Sequence, residues 1–155
     1  MTTLPTVLIT GASSGIGATY AERFARRGHP LVLVARDQAR MELLATRLRA
    51  EAQVAVDVLP ADLTQQADLA KVEARLREDA SIGILVNNAG MGQSGAFVQQ
   101  SPDSIDRLVM LNTTVPTRLA AAVAPRFAQA GQGAIVNIGS VVGFAPELGM
   151  TIYGA

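Results

Sequence analysis

The sequence predicts a doubly wound α/β fold, a parallel sheet with helices on both faces, and three observations predict it. Apolar runs of strand length alternate with helix-period segments along the 155 residues, the pattern of repeated β-α units. The first run, Val7-Leu8-Ile9, feeds a turn built on Gly11, Gly15 and Gly17 that opens a helix. Polar or glycine-containing pieces follow the later runs, at Asn87–Gly90 and Gly139-Ser140, where strands of such a sheet present ligand sites.

Val7, Leu8 and Ile9 are consecutive and apolar, as in a strand buried on both faces. In the turn that follows, Gly11 allows the tight exit from the strand, Gly15 lets backbone N–H groups approach a phosphate, and Gly17 lets helix pack on strand. The spacing is G-x-x-x-G-x-G, and the helix mouth suits a pyrophosphate. A glycine-rich connection without a ligand is the alternative. Ile16, Tyr20 and Phe24 recur four apart on that helix, with Ala18, Ala21 and Ala25 keeping the face slim. Arg23, Arg26 and Arg27 suit its C-terminal dipole, and Gly28 caps it. Leu31 to Ala35 is a second strand ended by Arg36-Asp37; Met41, Leu44 and Leu48 mark the next helix. Val54, Val56 and Val58 form a third strand ending at Pro60–Thr64, with Thr64 as N-cap of a helix carrying Leu69, Val72 and Leu76. Ile82 to Val86 is the fourth strand, and Met91 to Gln100 a polar loop. Ser101-Pro102-Asp103 then starts one long helix, with Ile105, Leu108, Asn112, Val115 and Leu119 on one face. Pro116 cannot donate to the Asn112 carbonyl, which predicts a kink. Gly131-Gln132-Gly133 stops the helix, and Ala134 to Ile138 is the fifth strand. Right-handed crossovers and a phosphate turn after strand one give a Rossmann-type sheet of order 3-2-1-4-5 in a single domain, residues 1–155.

Composition narrows the function. Hydrophobic residues make up 49% and charged residues 17%, so a folded globule is expected. Thirteen basic residues balance thirteen acidic ones, which gives no footprint for nucleic acid or an anionic membrane. Cysteine is absent, which removes disulfides, thiolate catalysis and cysteine metal sites. His29, the only histidine, reads as a surface residue, and no metal site is expected. No apolar run reaches the ~18 residues of a membrane span, and the N-terminus has no basic leader. A soluble, cytoplasmic protein is expected.

Thr10 to Gly17 reads T-G-A-S-S-G-I-G, Asn87 to Gly90 reads N-N-A-G, Asn137 to Ser140 reads N-I-G-S, and Tyr153 lies thirteen residues after Ser140. With these motifs the whole chain resembles the short-chain dehydrogenase/reductase family. The resemblance implies an oxidoreductase that passes hydride between a nicotinamide cofactor and a carbonyl or carbinol carbon. Tyr153 would be the general acid/base, Ser140 would hydrogen-bond the substrate oxygen, and Asn112 would hold a water of a proton relay. Gly11, Ser13, Ser14, Gly15, Ile16 and Gly17 would bind the cofactor, Asp62 and Leu63 would contact adenine, and Asn88, Ala89 and Gly90 would line its ribose. The mostly apolar stretch Val141–Met150 would form one wall of the substrate pocket, which makes an apolar carbonyl or alcohol plausible.

Cofactor choice turns on Arg36. An Asp or Glu ~20 residues past the glycines holds the ribose of NAD; Ala35 and Arg36 occupy that region here. An arginine can pair bidentately with a 2′-phosphate, so NADP(H) is expected over NAD(H), with Asp37 as a reservation. The family pattern Tyr-x-x-x-Lys would put its lysine at 157, beyond Ala155, and the only lysine present is Lys71. Lowering a phenol pKa from ~10 to ~7 takes roughly 4 kcal/mol, much of it supplied by a nearby ammonium. Family members continue for roughly another hundred residues, and without the further strands strand five would be an exposed apolar edge. The expectation is therefore a partial chain of a longer enzyme, a homo-oligomer at full length. A non-catalytic, dinucleotide-binding fragment or interaction protein is the alternative, and an epimerase or dehydratase on the same fold would share these motifs.

Overall fold

A computed structural model describes residues 4–93 and 95–155. The first three residues and position 94 lie outside it, and with them parts of the N-terminal reading and of the Met91–Gln100 loop. Five parallel strands form one sheet: β1 (Thr6–Thr10), β2 (Leu31–Ala35), β3 (Val56–Pro60), β4 (Ile82–Asn87) and β5 (Ala134–Asn137), in the order β3-β2-β1-β4-β5. This is the expected Rossmann-type order. Val7 pairs with Leu31 on one side and with Ile84 on the other. The helices are α1 (Gly15–Arg26), α2 (Gln38–Ala52), α3 (Gln66–Glu78), α4 (Pro102–Val109), α5 (Val115–Ala130) and the short α6 (Thr151–Gly154).

Successive strand residues point to opposite faces, and both faces are filled. Val7, Ile9, Leu31 and Leu33 join Ala21 and Ala25 of α1 and Met41, Ala45 and Leu48 of α2. Leu8, Val32, Val34 and Leu85 join Leu69, Val72 and Leu76 of α3 and Leu119, Val123 and Phe127 of α5. That two-sided burial is why β1 and β2 read as unbroken apolar runs.

Two expectations need correction. The core stripe of α1 is Gly17, Ala21 and Ala25, with Tyr20 and Phe24 packed beside it, whereas Ile16 is exposed. Small residues let α1 lie close against the sheet and leave Ile16 free at its mouth. Thr64 does not cap α3: the cap is Gln65, and the Thr64 hydroxyl donates to Asp62 Oδ1 at 2.7 Å. The long helix runs unbroken from Pro102 to Ala130 and carries the expected defect at Asn112. Between α4 and α5 a π turn spans Met110–Thr114, where the Val115 N–H reaches the Met110 carbonyl, five residues back. Pro116, without an N–H, cannot complete the regular ladder at Asn112, and the extra residue of a π turn takes up the mismatch. Among the described residues no helix is long and apolar enough to cross a membrane.

Candidate functional site

The glycine turn shapes one end of the site. Gly11 (φ +66°) and Gly15 (φ +55°) take left-handed backbone, which glycine adopts without a Cβ clash. A Cβ on Gly17 would lie 2.2 Å from the Gly11 carbonyl oxygen, and one on Gly11 would lie 2.9 Å from Ala89 Cα. These two glycines allow β1, α1 and the end of β4 to close on one another. A Cβ on Gly15 would meet nothing within 4 Å, so the helix mouth is open. Ser14, the N-cap, makes no side-chain cap, which leaves first-turn N–H donors and the positive end of α1 facing that space.

Thr10 ties this turn to the Asn88 segment. Its hydroxyl oxygen accepts the Asn88 and Ala89 N–H groups, each at 3.0 Å, while Asn88 Nδ2 donates to the Thr10 carbonyl at 3.0 Å. Sequence reading missed this clamp. The available signal was a threonine closing the strand directly before the glycine turn.

A cleft of about 600 Å³ runs from this mouth along the carboxyl ends of β1 to β4, lined by Gly11, Ser13, Ser14, Arg36, Asp37, Arg40, Asp62, Leu63, Thr64, Asn88, Ala89 and Gly90. Arg36 is exposed at its rim. Asp37 is already engaged: it caps α2, Oδ1 accepting the Arg40 N–H at 3.0 Å, and its Oδ2 lies 3.5 Å from Arg40 Nε. Among the described residues Arg36 has no hydrogen bond or ion pair, and Arg40 is a second cation that the sequence reading did not single out. An open, uncapped helix mouth and guanidinium groups at the far end fit a phosphorylated dinucleotide.

A second cavity, about 1260 Å³, lies on the other side of the Asn88–Gly90 segment. Asn112, Ser140 and Tyr153 line it together, with Ile16, Val141 and Ile152. Ser140 Oγ accepts the Val142 N–H at 3.2 Å, which leaves its own O–H free to turn outward. Both polar ends of the Asn112 side chain are engaged, its Oδ1 accepting the Met91 N–H at 2.9 Å and its Nδ2 donating to the Met91 carbonyl at 2.8 Å. That two-point contact locks the π turn to the loop after β4. Asn88, Ala89 and Gly90 line both cavities, so the two meet along one wall. Lys71 lies elsewhere, its Nζ 2.7 Å from Asp68 Oδ1 on α3.

A sequence profile of the family described as short chain dehydrogenase matches residues 5–155. The very-long-chain 3-oxoacyl-CoA reductase of Bos taurus is 32% identical over 152 residues, which take in 96% of this chain and 48% of that one. Among solved structures, the bulky-bulky ketone specific alcohol dehydrogenase from Comamonas testosteroni is similar with a TM-score of 0.97 and 81% identity, covering 99% of this chain and 61% of that one. The short-chain dehydrogenase from Sphingobium yanoikuyae, solved in complex with NADPH, gives 0.96 and 77%, covering 97% and 59%. The chain spans about half the length of curated relatives it matches.

Proposed function

The chain belongs to the short-chain dehydrogenase family, and from that premise we propose that residues 1–155 form the dinucleotide-binding part of an NADP(H)-dependent oxidoreductase acting on a carbonyl or alcohol. The observation that carries the reading is the wall Asn88–Gly90, which joins a cleft fit for a phosphorylated dinucleotide to a cavity holding a phenol and a serine hydroxyl. When bound, the nicotinamide supplies the hydride donor or acceptor. Gly11 to Gly17 hold the pyrophosphate with backbone N–H groups, Ser13, Ser14 and Ile16 included. Arg36 takes the 2′-phosphate, and the Sphingobium protein's complex with NADPH supports that choice. Asp62 and Leu63 meet the adenine, and Asn88, Ala89 and Gly90 its ribose.

Ser140 donates its free O–H to the substrate oxygen. Tyr153 gives that oxygen a proton as the carbonyl becomes an alcohol and takes one back in the reverse direction. Asn112 fixes the π turn whose backbone holds a relay water. Ile16, Val141 and Ile152 give the cavity apolar walls, and the 81% identity to a protein described as specific for bulky-bulky ketones supports an apolar ketone with two large substituents. The reading extends to a cytoplasmic protein that is a homo-oligomer at full length.

The test is NADPH oxidation with a panel of ketones. The expected result is turnover with bulky apolar ketones that Tyr153→Phe lowers by at least about a hundredfold, the usual weight of a general acid. The second reading is dinucleotide binding without turnover. Lys71 is held by Asp68 on α3 and does not line the Tyr153 cavity. NADPH binding with no oxidation of any ketone by the full-length protein would establish that reading and overturn the first.

A further inference from the structure

We infer that Asp68 is a positioning residue that sets Asp62 for recognition of the adenine base, an inference that rests on the dinucleotide reading above. Asp62 has four polar atoms, and the fold commits three of them. Its N–H donates to Asp68 Oδ2 at 2.9 Å, its carbonyl accepts the Gln65 N–H at 2.8 Å, and its Oδ1 accepts both the N–H and the hydroxyl of Thr64, at 3.0 and 2.7 Å. Among the described residues only Oδ2 has no partner, and Asp62 lines the dinucleotide cleft. A carboxylate oxygen left over in this way is an acceptor, and the exocyclic amine of adenine is the donor it suits.

Asp68 does not line the cleft. It stands behind the wall, in the first turn of α3, where a negative charge is favourable and where the N-cap Gln65 makes no side-chain cap. From there it reaches back to the Asp62 backbone with one oxygen and meets Lys71 Nζ with the other, at 2.7 Å. Lys71 is the only lysine of the chain and is largely exposed. The sequence is thus Lys71 holding Asp68, Asp68 holding the Asp62 N–H, and Asp62 presenting one oxygen. Two readings of this cluster compete. In one it only stabilises the start of α3; in the other it also sets base specificity. The single uncommitted oxygen favours the second.

Isothermal titration calorimetry with NADPH and with its hypoxanthine analogue, which carries a carbonyl in place of the exocyclic amine, separates them. Wild type is expected to prefer NADPH by roughly tenfold, since a carboxylate acceptor facing a carbonyl loses its partner. Asp68→Ala should cut that ratio to about twofold and weaken NADPH by about five- to tenfold, the scale of one lost hydrogen bond. Asp68→Asn keeps an acceptor for the Asp62 N–H and should hold the wild-type ratio. A purely structural role would lower the melting temperature of Asp68→Ala and leave the ratio unchanged, which overturns the inference. Equal affinity of wild type for the two nucleotides overturns it too. Should Asp68→Ala fail to fold, Lys71→Ala, at an exposed position, carries the test: a ratio equal to that of wild type overturns the inference, and a reduced one supports it. Failure of wild type to bind NADPH at all instead overturns the dinucleotide reading.

Discussion

Arg36 and Asp37 are neighbours of opposite charge on one rim, and of the two only Asp37 is hydrogen-bonded among the described residues. Asp37 would be the acceptor for two ribose hydroxyls if it were free. Its Oδ1 is spent on the Arg40 N–H and its Oδ2 sits beside the Arg40 guanidinium, so freeing it costs α2 its N-cap, about 1 kcal/mol. Arg36 has no hydrogen bond or ion pair among the described residues and gives up nothing to meet a phosphate. Arg36→Ala is therefore expected to lower the preference for NADPH over NADH by at least about tenfold, near 1.4 kcal/mol, measured as the ratio of the two dissociation constants. An unchanged ratio would mean that Arg36 only covers surface. Arg36 stood out in the sequence by its position and side-chain chemistry, and the structure puts it on the cleft wall. What settled Asp37 was not visible: whether an Asp after a strand caps the next helix depends on backbone angles that no motif specifies.

At the scale of elements, the joint between α3 and β4 shows how a turn is held by a depressed carboxyl. Burial at Asp79 opposes its charge, but it is outweighed by the Ser81 hydroxyl at 2.6 Å, the Ser81 N–H at 3.0 Å and Arg75 Nε at 2.8 Å, and its pKa falls below the ordinary carboxylate value. A carboxyl depressed in the folded state stabilises above its unfolded pKa, ~3.9, and loses that contribution as pH falls through the lower folded value. Asp79→Asn should therefore cost about 1 kcal/mol at pH 7, some 2–4 °C of melting temperature. The gap to wild type should close in melts taken below the ordinary carboxylate range. A gap that persists there would point to lost packing and not to charge. The helix after Ser101 carries the other lesson of this scale. Pro116 announced a defect at Asn112, yet its form, a π turn of five residues pinned through Asn112 to Met91, required the loop after β4 to be in place. Local chemistry marks where a helix carries a defect; the partner that pins the defect is a long-range contact.

Across the whole molecule the legible part of the fold is what burial dictates. Runs such as Leu31–Ala35 are buried at every position, so strand number, order and the crevice at their carboxyl ends follow from pattern and handedness. Thr10 and the exposed Ile16 were not legible, because the first is set by contacts far away in sequence and the second by how closely α1 approaches the sheet. The crevice itself predicts a global effect. Its walls come from the ends of β1, β2, β3 and β4, at Gly11, Arg36, Asp62 and Asn88. A ligand that touches all four binds the folded state and has no such partner set in the unfolded chain. At a hundred times its dissociation constant, NADPH should then add about 2.7 kcal/mol of stability, which for a chain of this size corresponds to roughly 5–10 °C in melting temperature. NADH at the same concentration should give a smaller shift, because Arg36 has no phosphate to meet. Thermal melts with each nucleotide read this directly, and the shift should grow with the logarithm of nucleotide concentration. A melting temperature that does not move with either nucleotide would mean that the four strand ends do not act as one site.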